Sequence, residues 1–228
     1  MDKRRSLDRA LDGIQPGMVV AVGGFGGAGF PARLVAEVER RHLSGLTLVS
    51  NNAARFESLA ATGAISRIIC SFPFGGAAPT LRGTLEAAGV ELELVPQGTL
   101  AERLRAAGAG LGGVLTRVGM GTELTTGRRR VEVAGAEYLL EPALAADFAL
   151  VAALRADRWG NLSMRGTARN FNLVMAMAAT TTVAETPSVV ALGAISPDRC
   201  DVPGIFVDAV VEIAGSSKTR EESRGVDA

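Results

Sequence analysis

The feature that most constrains the fold is a glycine-rich segment that directly follows a short apolar run. Residues 18–22 read MVVAV, a β-branched run that predicts a buried strand, and residues 23–31 read GGFGGAGFP. Beyond Pro31, which suits the first turn of a helix, apolar residues recur at helical spacing. A strand, a glycine loop and a helix in this order predict the first unit of an α/β fold, with the loop at the carboxyl end of the strand.

The same alternation continues along the chain. Short apolar runs predict strands at residues 46–49, 65–70, 90–95, 148–153 and 189–192, and helical spacing predicts helices at residues 56–61, 81–88 and 175–179. Thr99 and Glu102 have capping-box spacing, so another helix is expected to start at Thr99. Alternating strands and helices favour an α/β fold with a mainly parallel sheet.

Three segments depart from this alternation. Residues 108–127 carry glycine, threonine and methionine without a regular period, which predicts an ordered loop. Residues 131–133 and 138–140 flank a short polar segment and predict a small β-hairpin excursion. Residues 215–228 are small, polar and charged, so we expect one domain over residues 1–214 followed by a flexible tail.

Composition excludes several classes of function. The 24 basic residues balance 24 acidic ones, so no net charge favours nucleic acid or an anionic membrane. The apolar runs are too short to cross a bilayer. Two distant cysteines, Cys70 and Cys200, and a charged amino terminus favour a reducing cytoplasm. His42 is the single histidine, which excludes multi-histidine metal sites, and its arginine-rich surroundings predict a surface position.

The glycine-rich segment has a loose dinucleotide-binding pattern, GxGxxG, at residues 24–29. A dinucleotide site also needs an acidic residue after the second strand to hold the ribose, and the chain has Ser50, Asn51 and Asn52 there instead. We therefore set the dinucleotide hypothesis aside. Glycines at a strand end still let a ligand approach backbone N–H groups and a helix N-terminus, although a purely structural turn remains the alternative.

Further polar residues are expected at the same edge of the sheet. Asn51 and Asn52 follow the second predicted strand, and Gln97 and Gly98 follow the strand at residues 90–95. Amide side chains at strand ends are often only turn formers, but here they join the glycine loop at one edge and suggest a site for a carbonyl or carboxylate. The polar clusters at residues 157–161 and 167–172 are interpreted as ordered corners.

Seven segments, taken together in their order and spacing, resemble the A (α) subunit of family I, 3-oxoacid-type CoA transferases along residues 5–212. They are GGFG at residues 23–26, SNN at 50–52, PQGTLAER at 96–103, ADFAL at 146–150, DRWGNL at 157–162, TARNFN at 167–172 and PGIFV at 203–207. The resemblance implies an open three-layer α/β/α fold and an active site shared with a homologous B (β) subunit.

In this family a glutamate of the B subunit forms the covalent intermediate. It attacks an acyl-CoA thioester and is converted to a glutamyl-CoA thioester, from which the acceptor acid takes CoA. This chain contains no Glu-Asn-Gly sequence, and its glutamates are expected in helical or edge positions, so no catalytic nucleophile is predicted here. CoA thioesters would be substrates, with no permanently bound cofactor or metal. The resemblance assigns Gln97 as an oxyanion donor and substrate or CoA contacts to Gly24, Phe25, Gly26, Gly27, Gly29, Asn51, Asn52, Gln97 and Gly98.

The substrate is less defined than the family. RIICSFP at residues 67–73 and PSVV at 187–190 resemble the 3-oxoadipate enzymes, whereas FGGAA at 74–78 and RVGMG at 117–121 depart from the family pattern. The leading hypothesis is transfer of CoA from succinyl-CoA to a 3-oxoacid, with 3-oxoadipate preferred. The alternatives are acetoacetate as acceptor or, in another class, a non-catalytic CoA- or nucleotide-binding protein; a heterodimer and a heterotetramer both remain open.

Overall fold

The computed structural model describes residues 1–73 and 78–213. The strands are β1 Val19–Val22, β2 Leu46–Asn52, β3 Ile65–Phe72, β4 Glu91–Leu94, β5 Gly113–Thr116, β6 Arg130–Val133, β7 Ala136–Pro142, β8 Ala146–Ala152, β9 Arg155–Asp157, β10 Leu162–Ser163, β11 Ala179–Thr186, β12 Val189–Val190 and β13 Ala209–Glu212. The α-helices are α1 Leu7–Ala10, α2 Ala32–Arg40, α3 Glu57–Ala61, α4 Ala78–Ala87, α5 Gln97–Gly108 and α6 Asn172–Ala178.

A seven-stranded parallel sheet lies at the centre, in the order β13-β11-β8-β1-β2-β3-β4. From β1 the chain builds outward through β2 to β4, and it later returns to pair β8 with the other side of β1. The strand order therefore reverses between β1 and β8, and open parallel sheets bind ligands beyond the carboxyl ends at such a point. The glycine loop (residues 23–29) leaves β1 at this position.

Each face of the sheet packs against its own layer of helices. Val20 faces a core that contains Leu34 of α2 and side chains of α1, α3 and α4. Its neighbour Ala21 faces the other core, with Leu104 of α5 and Met175 of α6. Because successive residues of a strand point to opposite faces, this alternation confirms the expected three-layer α/β/α arrangement.

A small antiparallel sheet, β5-β7-β6, forms the excursion. The predicted hairpin is confirmed: Val133 pairs with Ala136 across a turn made by Ala134 (φ 50°) and Gly135 (φ 76°), the backbone that tight two-residue hairpins require. The prediction of a loop throughout residues 108–127 is wrong at β5, which pairs with β7. Four partly exposed residues are too few to show a strand period in the sequence.

Two other predictions fail in the second half. The strand expected to be buried at residues 189–192 is only β12, which is half-buried and belongs to a small sheet in the order β10-β9-β12. Conversely, β11 occupies an interior place in the central sheet but is not predicted from the sequence pattern. Its sequence, ATTTVAET, lacks the continuous apolar run that usually marks a buried parallel strand.

Helix α5 starts two residues earlier than expected. It begins at Gln97, directly after Pro96, and no side chain caps its N-terminus. Thr99 lies inside the first turn, and its buried hydroxyl has no hydrogen-bond partner among the described residues. Pro96, with φ −52° and ψ 137°, already turns the chain from β4 into the helix, so the capping-box prediction at Thr99 is wrong.

Two expectations fall outside the described residues. They are the flexible tail at residues 215–228 and most of the departure at residues 74–78, of which the structure describes the backbone of Ala78 alone. Within the described ranges, no helix combines the length and the apolar character needed to span a membrane.

Candidate functional site at the carboxyl edge of the sheet

The glycine loop folds back on itself beyond β1. The N–H of Phe25 donates to the carbonyl of Ala28 and the N–H of Ala28 to the carbonyl of Phe25, both at 3.0 Å. Gly26 and Gly27, at the corner between them, have φ angles of 56° and 107°. Side chains strongly disfavour this backbone, so part of the glycine content serves the turn itself.

A second reason for glycine is the close approach of Asn172. A Cβ on Gly23 would lie 1.9 Å from Asn172 Oδ1, and one on Gly29 would lie 2.7 Å from Asn172 Nδ2. The Asn172 side chain is fully buried, accepts from the N–H of Ala152 at the end of β8, and donates to the carbonyls of Gly29 and Ala168. It packs against Gly23 at one end of the loop and donates to Gly29 at the other, which links the loop to β8 and to the start of α6.

The cluster at residues 167–172 is thus an ordered corner that supports the glycine loop. Asn170 adds a hydrogen bond of 2.9 Å from its Nδ2 to the carbonyl of Ala28. The cluster at residues 157–161 is also an ordered corner. Asp157 is buried and accepts from the N–H groups of Trp159 and Asn161 and from the Asn161 amide, rather than from an arginine.

The structure brings Asn52 to the glycine loop, as the sequence suggested. Asn52 Oδ1 accepts from the N–H of Gly26 at 3.1 Å and from Asn51 Nδ2 at 2.7 Å. Asn51 is fully buried, and its Oδ1 has no partner among the described residues. The two residues are the last of β2 rather than part of a turn, and the exposed rings of Phe25 and Phe72 meet edge to face beside them.

Three backbone donors in the loop are unused. Within the described ranges, the N–H groups of Gly24, Gly27 and Gly29 donate no hydrogen bond. They lie at the carboxyl edge of the sheet, at the point where the strand order reverses. Preorganised N–H donors of this kind can stabilise negative charge on a carbonyl oxygen.

Gln97 and Gly98 lie at the same edge but farther along it. Gln97 begins α5, is half-buried, and its side chain has no hydrogen-bond partner in the described part of the chain. β4, which leads into α5, is two strands from β2, which corresponds to about 10 Å. Gly98 is exposed, with no atom within 4 Å of the position a Cβ would take. The structure therefore shows a shared edge but no contact of these two residues with the glycine loop.

A buried carboxylate near the loop was missed by the sequence reasoning. Glu185 lies on β11, 5% exposed, and its Oε2 accepts from the N–H groups of Arg33 and Leu34, each at 2.9 Å. Burial raises the pKa of Glu185, and the two N–H donors oppose that rise. An acidic residue inside the β-branched run of β11 was the available signal, and its interior position corrects the expectation that the glutamates lie in helices or at edges.

Glu185 also occupies a position that a ligand would otherwise use, the N-terminus of α2. Its carboxylate occupies the N-terminus of α2, where the sequence suggested that a ligand could approach. Negative charge is favoured at a helix N-terminus, and here the chain provides it. A ligand at this edge therefore cannot use the N-terminus of α2, whereas the free donors of the loop remain available.

Within the described ranges, the cysteines and the histidine form no reactive or metal-binding cluster. Burial raises the pKa of the Cys70 thiol to about 12, and it also raises the pKa of Cys200. His42 is exposed, as expected. Residues 1–73 and 78–213 contain no group of three or more histidine, cysteine or acidic side chains arranged to hold a metal ion.

Residues 117–121 form a partly exposed turn after β5. Their hydrogen bonds are local: the N–H of Met120 donates to Arg117, and the N–H of Val118 to Thr116 Oγ1. The sequence of this turn departs from the family pattern, and its effect on which acceptor acid is recognised stays a prediction.

Comparison with known proteins identifies the family. The family described as Coenzyme A transferase matches residues 4–213. The A subunit of 3-oxoadipate CoA-transferase from Pseudomonas putida is 43% identical over 216 residues, which cover 93% of this chain and 94% of that protein. The A subunit of succinyl-CoA:3-ketoacid coenzyme A transferase from Xanthomonas campestris pv. campestris is 44% identical over 218 residues, with 93% and 89% covered.

The fold is also found in a crystal structure. Glutaconate coenzyme A-transferase from Acidaminococcus fermentans, 21% identical in sequence, matches with a TM-score of 0.84 across 93% of this chain and 76% of that one. Together with the family match over residues 4–213, these relatives place the chain in the coenzyme A transferase family.

Proposed function

We propose that this chain is the A subunit of a two-subunit CoA transferase that moves CoA from succinyl-CoA to a 3-oxoacid, with 3-oxoadipate as the preferred acceptor. The observation that carries the proposal is a glycine loop with three unused N–H donors, bound to Asn52 and Asn172, at a sheet edge where the buried carboxylate of Glu185 is held on α2. Relatives that are named as A subunits imply a partner, the B subunit.

The chemistry divides between the two chains. A glutamate of the partner adds to the acyl-CoA carbonyl, and the tetrahedral intermediate expels CoA thiolate to leave a mixed anhydride. The thiolate then attacks the glutamyl carbonyl, which forms a glutamyl-CoA thioester and releases the first acid. The carboxylate of the acceptor attacks this thioester, and the same two steps in reverse yield the new acyl-CoA.

This chain supplies the groups that stabilise the charge. The N–H groups of Gly24, Gly27 and Gly29 and the amide of Gln97 are the proposed oxyanion donors. Because Gln97 lies farther along the edge than the loop, it and the loop donors would serve different tetrahedral intermediates. One such donor can be worth about 3 kcal/mol in a transition state. Phe25, Gly26, Asn52 and Gly98 complete the proposed surface for the substrate and the partner's glutamate. Asn51 is fully buried and would act through Asn52, to which its amide donates.

Glu185 does not compete with the partner's glutamate. It is buried, and both of its backbone hydrogen bonds hold the carboxylate on α2. Attack on a thioester would require breaking these bonds and leaving two N–H groups without partners, which costs about 1–3 kcal/mol for each. We therefore assign it a structural role in holding α2 and the loop that precedes it.

The remaining parts of the proposal concern the domain, its location, its ligands and the alternative functions. We propose that residues 1–214 act as one domain in the cytoplasm, with CoA thioesters as substrates and without a resident cofactor or metal. Acetoacetate is the alternative acceptor, since one of the similar proteins is named for 3-ketoacids. A CoA-binding protein without catalysis is the alternative in a different class.

Co-expression with a cognate B subunit separates these hypotheses. We expect a stable complex that transfers CoA from succinyl-CoA to 3-oxoadipate more efficiently than to acetoacetate, and no transfer by this chain alone. A faster reaction with acetoacetate selects the alternative acceptor. A stable complex without transfer to any 3-oxoacid contradicts the enzymatic proposal, and failure to form a complex favours the binding protein.

A further inference from the structure

Arg55 lies at the rim of the glycine loop. It belongs to a short 3-10 helix, Ala54–Phe56, that directly follows β2. Its Nη2 lies 2.5 Å from the position that a Cβ on Gly27 would take, so the guanidinium fills the space beside the turn of the loop. Asn52, three residues earlier, binds the other side of the same turn through the N–H of Gly26.

The Arg55 guanidinium stacks on the ring of Phe30. Its Cζ is 4.8 Å from the centre of the Phe30 ring, and Phe30 packs against the fully buried Phe56 with ring centres 6.0 Å apart. Stacking of this kind holds an arginine in place through its planar face and leaves its N–H donors at the edges free.

Those donors have no partner in the described part of the chain. Arg55 is exposed, forms no ion pair and makes no hydrogen bond there, although many other arginines of this chain pair with carboxylates. An arginine that is oriented by stacking but lacks a counter-ion has the geometry for two-point recognition of an anionic oxygen group.

Both carboxylates and phosphates are such groups, and chain lengths distinguish them. The distal carboxylate of a succinyl group is three carbon–carbon bonds from the thioester carbonyl, or about 4 Å, and that of 3-oxoadipate is five bonds from the reacting carboxyl, or about 6 Å. The phosphates of CoA are separated from the thioester by the whole pantetheine arm, roughly 15 Å or more. A group adjacent to Gly27 is therefore within reach of the acyl chain.

We propose that Arg55 binds the distal carboxylate of dicarboxylic acyl groups and thereby selects succinyl-CoA and 3-oxoadipate over monocarboxylic acids. This inference rests on the proposed function, in which the loop donors hold the reacting carbonyl. Acetoacetate carries a methyl group where 3-oxoadipate continues to its second carboxylate, so it gains nothing from this contact.

The test uses the complex of this chain with its partner and measures kcat/KM for each acid separately, which ping-pong kinetics permit. Arg55→Gln should lower kcat/KM about 10- to 100-fold for 3-oxoadipate and for succinyl-CoA and leave acetoacetate within about twofold. Arg55→Lys should retain part of the preference, because it keeps the charge but not the fork. Arg9 is an exposed arginine on α1, so Arg9→Gln is the matched control and should change kcat/KM for neither acid.

Several results would overturn the inference. An equal loss of kcat/KM with 3-oxoadipate and acetoacetate would indicate that Arg55 contacts the partner subunit or supports the site as a whole, whether or not the complex assembles more weakly. An equal rise of KM for every CoA ester would indicate a CoA phosphate, and unchanged selectivity would remove Arg55 from the site. If the unmodified complex transfers CoA to no acid, the proposed function fails and this inference fails with it; an active complex with unchanged selectivity refutes the Arg55 assignment alone.

Discussion

Substituting alanine for Gly23 places a methyl group where the Asn172 amide lies. The new Cβ would be 1.9 Å from Asn172 Oδ1 and 2.8 Å from its Cγ, so the amide has to move. Asn172 is fully buried, and moving it breaks hydrogen bonds to Ala152, Gly29 and Ala168. A buried polar group without its partner costs about 1–3 kcal/mol, so the three losses together should lower the free energy of unfolding by at least about 3 kcal/mol.

The same substitution elsewhere provides the control. Gly83 is an exposed residue of α4, with no atom within 4 Å of the position of an added Cβ. Gly83→Ala should therefore raise the free energy of unfolding, by up to about 1 kcal/mol, through helix propensity. Urea unfolding of the chain, followed by far-UV circular dichroism, measures both variants. A Gly23→Ala variant within about 1 kcal/mol of the unmodified chain would refute the role given to Asn172.

Three further predictions concern single residues. Burial raises the pKa of Glu185 above its usual value of 4.5, so the folded state binds the carboxyl proton more tightly than the unfolded state. The free energy of unfolding should therefore fall as pH rises from 4.5 towards the folded pKa. Glu185→Gln should flatten this decline, and an equally steep decline in the variant contradicts the assignment. Gly98→Ala should leave stability unchanged or slightly raised but increase KM for CoA esters in the complex, and an unchanged KM removes Gly98 from the site. Gln97→Ala should lower kcat about 100-fold while the complex still assembles, and unaltered turnover excludes the oxyanion role.

The glycine loop and its place in the fold could be predicted from sequence because both depend on local signals. An apolar run, several glycines and a proline specify a strand, a turn and a helix, and parallel strands bring their carboxyl ends to one edge. The meeting of Asn52 with the loop follows from this topology. The sequence predicted only the shared edge, and the hydrogen bond from Gly26 to Asn52 is a finding of the structure, in which β1 pairs with β2.

The supports of the loop could not be predicted in the same way. Asn172 and Glu185 are about 150 residues from the loop in the chain. Asn172 reaches the loop because α6 packs beside β8, and Glu185 reaches the helix that follows the loop, α2, because β11 lies beside β8. Nothing in a local window shows that the asparagine at the start of α6 also fills the space of the missing Cβ of Gly23. The unexpected β11 has the same origin, because its interior place comes from pairing with β8 and β13 rather than from an apolar run. The early start of α5 is local, since Pro96 already turns the chain into the helix.

The location of the covalent intermediate tests the central claim most directly. The complex of this chain with its partner would be incubated with succinyl-CoA, quenched in acid, digested and analysed by mass spectrometry for peptides that carry CoA. We predict CoA on a glutamate of the partner chain and none on this chain, including the peptide that contains Glu185. CoA on any glutamate of this chain, or CoA transfer without a thioester on either chain, would contradict the proposed division of the chemistry.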